Sequence, residues 1–83
     1  MEDIKNWLEC WFSNNSSKSF EEVKTMGEQN YFNEGLVDSF GFISLLSDIE
    51  EKYGVTFSND DFLDRSFATI NGLAKMINSK KQN

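Results

Sequence analysis

A chain of 83 residues can enclose one small core but not two. The formal net charge is −6, with no histidine and no grouped cations before Lys80 and Lys81; this argues against nucleic acid, which needs clustered Lys and Arg to neutralise phosphate. No run approaches the ~20 apolar residues of a membrane span, and the acidic start lacks the basic opening of a signal peptide, so cytoplasm is the expected compartment.

In chain order, Ile4, Trp7, Leu8, Trp11 and Phe12 follow the i, i+3, i+4, i+7, i+8 template and predict a helix over about 3–13. Asp3 is the expected N-cap, and Glu2, Lys5, Asn6 and Glu9 the opposite, solvated face. The lone Cys10 has no internal disulfide partner. Without histidine it suits neither a zinc site nor an activated nucleophile. Ser13-Asn14-Asn15-Ser16-Ser17 reads as loop, because these side chains compete for backbone hydrogen bonds. Ser19-x-x-Glu22 has capping-box spacing and predicts a short helix over about 20–26, stopped at Gly27. Gln29 to Glu34 has no helical period; Tyr31 and Phe32 are expected to fold back onto the bundle.

The organising stretch is Gly35 to Gly54, GLVDSFGFISLLSDIEEKYG. Asp38 or Ser39 can cap a helix over 39–53, and Gly54 can end it in the left-handed conformation. Phe42, Leu45, Leu46, Ile49 and Tyr53 share one face, which must be buried. Phe40 and Ile43 fall on another side, near Ser44, Ser47 and Glu51, so two apolar residues flank the hydroxyl of Ser39 in solvent. A helix start also favours an anion, through its free N–H groups and its dipole.

Beyond Gly54, Val55-Thr56-Phe57 is extended, with Phe57 closing the end of the core or standing as an apolar contact. Ser58-Asn59-Asp60-Asp61 lacks the spacing of a calcium loop and reads as the cap of a short helix over about 60–64. A last helix covers about 69–78, with Ile70, Leu73, Ala74 and Ile77 on its buried face and Phe67 packing just before it. Gly72 within it costs about 1 kcal/mol against alanine and suits a tight crossing. The three residues after Lys80 are expected to fray. The fold class is all-α: a small bundle of three main helices plus one or two short ones, with a long first loop, as one domain over 1–83.

Gly35-Leu36-Val37-Asp38-Ser39-Phe40, the patterned helix, Asp48-Ile49-Glu50-Glu51-Lys52-Tyr53-Gly54, and Val55-Thr56-Phe57 before an acidic turn together resemble the acyl carrier proteins. That family includes the peptidyl, aminoacyl and D-alanyl carrier proteins. The likeness runs without a gap from about 30 to 62 and resumes more loosely from Thr69-Ile70 to Ile77. It implies an acyl-carrier-like bundle in which Ser39 receives covalent 4′-phosphopantetheine from coenzyme A, with Asp38 capping, orienting or contacting metal held by the transferase. The partners implied are a phosphopantetheinyl transferase, an acyl- or aminoacyl-activating ligase, and a downstream acyltransferase or synthase, acting on a monomer. No catalysis by the chain itself is implied, nor a metal site.

One departure narrows the expectation. Fatty-acid carriers place acids along the first half of this helix, where this chain has Gly41, Ser44 and Ser47, and its acids begin only at Asp48, Glu50 and Glu51. Fewer charges on the docking face weaken steering by basic partners. The expected role is a stand-alone carrier in a specialised pathway rather than in general fatty-acid synthesis. It would present its cargo through Phe40, Ile43, Ser44, Ser47 and Phe57, with Glu50 and Glu51 as charged rim. The alternative is a small acidic interaction module that grips a partner helix with Phe40 and Ile43, Ser39 being only a cap.

Overall fold

A computed structural model of the chain describes residues 2–81. Five α-helices follow one another: α1 (Glu2–Asn14), α2 (Phe20–Lys24), α3 (Ser39–Tyr53), α4 (Asn59–Leu63) and α5 (Ile70–Lys81), with a 3-10 turn (Arg65–Ala68) between the last two. No strand occurs among the described residues, and the architecture is the expected small all-α bundle. α1, α3 and α5 are the long helices. α5 packs against α1 and the 3-10 turn, while α2 lies across α1.

The core forms where the 3.6-residue period aims apolar side chains inward. Ile4, Leu8, Trp11 and Phe12 of α1 meet Leu45 and Ile49 of α3 and Ile70, Leu73, Ala74 and Ile77 of α5, all buried. Phe42, Leu46 and Tyr53 border this core and are partly buried, so the predicted face of α3 is the packed one. Two contacts join α1 to α3. Trp7 meets Tyr53 edge-on at 5.8 Å, and the Trp11 indole N–H donates to the Asp48 carboxylate at 2.8 Å.

Several local expectations are corrected. The first helix begins by Glu2, so Asp3 lies inside its first turn and does not cap it. Glu9, placed on the open face of α1, is buried. The reason is α2, which packs across α1 and covers surface that periodicity alone leaves to solvent. That short helix is capped by Ser19, whose hydroxyl oxygen accepts the Glu22 N–H at 3.2 Å. It ends at Lys24 rather than Met26, because Thr25 Oγ1 donates to the Glu22 carbonyl at 2.7 Å. At the other end, α5 starts at Ile70 behind Thr69, whose Oγ1 accepts the Gly72 N–H at 3.0 Å, and runs one turn past Asn78. Lys81, assigned to the frayed tail, is thus helical; Gln82 and Asn83 lie outside the described residues.

The long first loop is held at both ends of its aromatic pair. Tyr31 donates its N–H to the Ala68 carbonyl at 3.0 Å, accepts the Leu36 N–H at 3.0 Å, and donates its hydroxyl to the Phe67 carbonyl. Burial raises its phenol well above the ordinary range. Phe32 folds back only in part and remains 41% exposed, resting against Phe42 at 5.0 Å. Gly72 fits as expected from its size: a Cβ there would stand 2.0 Å from the Ser66 carbonyl oxygen. The 3-10 turn therefore lies flush on α5 because position 72 has no side chain.

The acids after Gly54 are occupied in local structure. Asp61 accepts the Ser58 N–H at 2.7 Å and pairs with Lys80 at 2.8 Å, tying α4 to α5. Its bond to Lys80 holds the Asp61 carboxyl below the usual carboxylate range. Asp64 accepts from the Ser66 N–H at 3.0 Å and from the Ser66 hydroxyl at 2.8 Å, which starts the 3-10 turn.

Candidate functional site

Two neighbouring residues take separate parts at the start of α3. Asp38 is the N-cap, extended at φ −105°, with Oδ1 accepting the Gly41 N–H at 2.7 Å and its backbone carbonyl accepting the Phe42 N–H at 2.8 Å. Ser39 is the first helical residue and is exposed. Of the two capping candidates, the carboxylate takes the cap, so the hydroxyl of Ser39 is not spent on the helix. Gly41 helps: a Cβ at that position would come within 2.9 Å of a Val37 methyl and 3.2 Å of the Asp38 oxygen.

The helix beneath Ser39 is anchored along its length. Leu45 and Ile49 are fully buried, and Gly54 ends the helix at φ 68° with its N–H on the Glu50 carbonyl at 2.9 Å. The N–H groups of Ser39 and Phe40 lie in the first turn, where no preceding helical carbonyl can accept them. Together with the dipole they face any negative charge ester-linked at Ser39.

Around the hydroxyl, Phe40 is 83% and Ile43 65% exposed, and Ser44, Ser47, Glu50 and Glu51 are exposed along the same helix. Phe57 is half-buried: its ring meets Phe67 edge-on at 5.3 Å, and Lys80 Nζ stands 5.5 Å from its centroid. Asp48, grouped in the sequence with the acids of this helix, turns toward α1 and accepts from Trp11. Sequence reasoning missed Leu63, which is 82% exposed at the end of α4, and the half-open Phe62 beside it. Their one available signal was the absence of a helical period across so short a segment.

Ser39 also borders a groove of about 550 Å3, walled by Trp11, Phe32, Leu36, Val37 and Asp38. A helix start with free donors, an exposed hydroxyl and open volume beside it fit a phosphate-linked prosthetic group. Among the described residues, no carboxylate hydrogen-bonds the Ser39 hydroxyl, and the neighbouring Asp38 carboxylate accepts from Gly41 instead.

Fold and site together define a small helical bundle whose third helix is anchored in the core and holds an exposed serine hydroxyl at its start. Residues 21–77 match the family model for the phosphopantetheine attachment site. The match covers more than half of the chain, and the protein belongs to that family, whose members are carriers rather than catalysts and bear 4′-phosphopantetheine covalently. Separate comparisons with curated proteins and with solved structures returned no match. Carriers of this kind meet a modifying transferase and biosynthetic enzymes. Among the described residues, no helix is long and apolar enough to cross a membrane.

Proposed function

We propose that Ser39 is the attachment residue and that the protein acts as an acyl or aminoacyl carrier in a specialised cytoplasmic pathway. The observation that carries this reading is the exposed Ser39 hydroxyl at the first position of α3, freed from capping by Asp38. In the attachment step, Ser39 Oγ forms a bond to the β-phosphorus of coenzyme A and the pyrophosphate bond breaks, releasing adenosine 3′,5′-bisphosphate. The hydroxyl proton passes to a base on the transferase. The bound group supplies a terminal thiol that holds the cargo as a thioester.

The chain's own residues orient and present. Asp38 keeps the helix start fixed, Leu45 and Ile49 hold α3 against the core, and the first-turn N–H groups face the phosphate charge. Phe40 and Ile43 form the apolar contact for partner enzymes, with Ser44 and Ser47 beside them and Glu50 and Glu51 as the charged rim. Phe57 supports this surface from its half-buried position. A face with so few acids near Ser39 favours a dedicated activating ligase over the basic docking patches of general fatty-acid synthesis.

Intact mass after incubation with coenzyme A and a broad-specificity phosphopantetheinyl transferase tests the assignment. The chain should gain one phosphopantetheine group, and Ser39→Ala should gain none while keeping its helical circular dichroism. An unmodified, folded wild-type chain would leave the interaction-module reading in its place.

A further inference from the structure

We propose that the groove beside Ser39, between the C-terminal end of α1 and the loop leading into α3, is the resting seat of the prosthetic arm, and that cargo on the arm's far end stays outside the bundle. This rests on Ser39 being the attachment residue.

The first support is a cluster of rings beside the core near Ser39, in which Phe67 is buried, Phe42 and Phe57 are half-buried and Phe62 is 45% exposed. Phe67 lies 5.6 Å from Phe42, 4.9 Å from Phe62 and 5.3 Å from Phe57, and Phe42 lies 6.0 Å from Tyr31. Rings at these centroid distances are in contact, so a chain passing between them must part them. Entry would require separating several aromatic pairs at once, each worth about 0.5–1.5 kcal/mol beyond its burial. That cost opposes entry of a cargo along this path.

The second support is the groove itself, whose lining is both shaped and mixed. The Trp11 ring is held by the 2.8 Å bond from its indole N–H to Asp48, so this wall does not swing. Asn15, also lining the groove, donates its side-chain N–H to the Trp11 carbonyl at 2.8 Å, which turns the amide oxygen away from that carbonyl as an acceptor. Val37, half-buried, supplies methyl groups, and Leu36, 1% exposed, closes the groove from the core side. The arm alternates amide links with methyl and methylene groups, and the groove offers partners of both kinds: the Asn15 amide and Asp38 carboxylate, and the Val37 methyls and Phe32 ring. Because the tether begins at the groove's own rim, the arm is present there at an effective concentration of roughly millimolar, so contacts too weak to capture the free molecule suffice.

Isotope-labelled chain is compared by NMR before and after loading with coenzyme A and the transferase, with intact mass reporting the loading. The expected result is movement of the Trp11 indole, Asn15 side-chain and Leu36 and Val37 methyl signals. Cross-relaxation should link the arm's geminal methyls to the Trp11 ring, while the Trp7 indole stays in place. Fully loaded protein whose shifts stop at Ser39 and its neighbours on α3, or whose arm contacts Phe42, Phe62 or Phe67, overturns the seat and leaves the attachment assignment standing. A chain that gains no mass overturns both, and the mass spectrum alone identifies that case.

Discussion

Replacing Gly72 by alanine sets two physical effects against each other. Helix propensity alone favours alanine by about 1 kcal/mol in a helix interior. The surroundings oppose it: the new Cβ would stand 2.0 Å from the Ser66 carbonyl oxygen and 2.6 Å from its carbonyl carbon. Both are backbone atoms with no rotamer to yield. Moving the oxygen to even 3.0 Å means lifting the 3-10 turn off α5 by about 1 Å, since 3.0 − 2.0 = 1.0 Å. That same oxygen accepts the Thr69 N–H at 3.2 Å and the Thr69 hydroxyl at 3.3 Å, and the lift weakens both. Overpacking costs about 1–3 kcal/mol, and the two weakened hydrogen bonds together add about 1 kcal/mol. After the propensity gain, the net is a loss of about 2 kcal/mol. Urea unfolding followed by far-UV circular dichroism should show a lower midpoint at unchanged slope, and heating a melting point lower by roughly 8–15 °C. Gly41→Ala is the control: its Cβ meets only side-chain atoms of Val37 and Asp38, at 2.9 and 3.2 Å, and its stability should stay within about 1 kcal/mol of wild type. A Gly72→Ala protein as stable as wild type, or more so, would refute the close contact between the turn and α5.

The buried phenol of Tyr31 gives a pH-dependent expectation. Its folded value is raised from 10.0 by burial, so the stability it contributes is fully present below 10.0 and is lost as pH rises beyond it toward the folded value. Absorbance titration should show Tyr53 ionising in the native protein and Tyr31 only on alkaline unfolding, and Tyr31→Phe should lower stability by about 1–2 kcal/mol through the orphaned Phe67 carbonyl. On the surface, Phe40→Ala and Ile43→Ala should leave stability within about 0.5 kcal/mol of wild type. Each should reduce the kcat/KM of loading by the transferase several-fold, and unchanged loading in both variants would remove this face from partner contact.

Much of the bundle was legible because its signals are local. The face of α3, a cap at Asp38 or Ser39 and the stop at Gly54 all follow from residues within a few positions of one another; the structure keeps the face and the stop and gives the cap to Asp38. Exposure of Phe40 and Ile43 was readable for the same reason. The misses depend on distant partners. Glu9 is buried because α2 crosses α1, which no period within α1 announces. Tyr31 and Phe32 are adjacent aromatics in one loop, and only the Phe67 carbonyl and the facing Phe12 ring decide that the first is buried and the second half-open. Asp48 reads as one more acid of its helix until Trp11, 37 positions earlier, is seen to donate to it. The 3-10 turn before α5 escaped because its defining bonds come from Asp64, read as the end of the preceding helix.

Giving the cap to Asp38 has a consequence for the protein's life cycle. Were Ser39 the cap, every esterification would strip α3 of its first hydrogen bond and the molecule would loosen each time it was charged. With the carboxylate at that post, the start of α3 is insured against the chemistry next door, and a negative phosphodiester at a helix start adds a small favourable dipole term of about 0.3–1 kcal/mol. Bare and decorated forms should therefore melt at nearly the same temperature, so that an enzyme meeting this surface finds the same scaffold before and after modification.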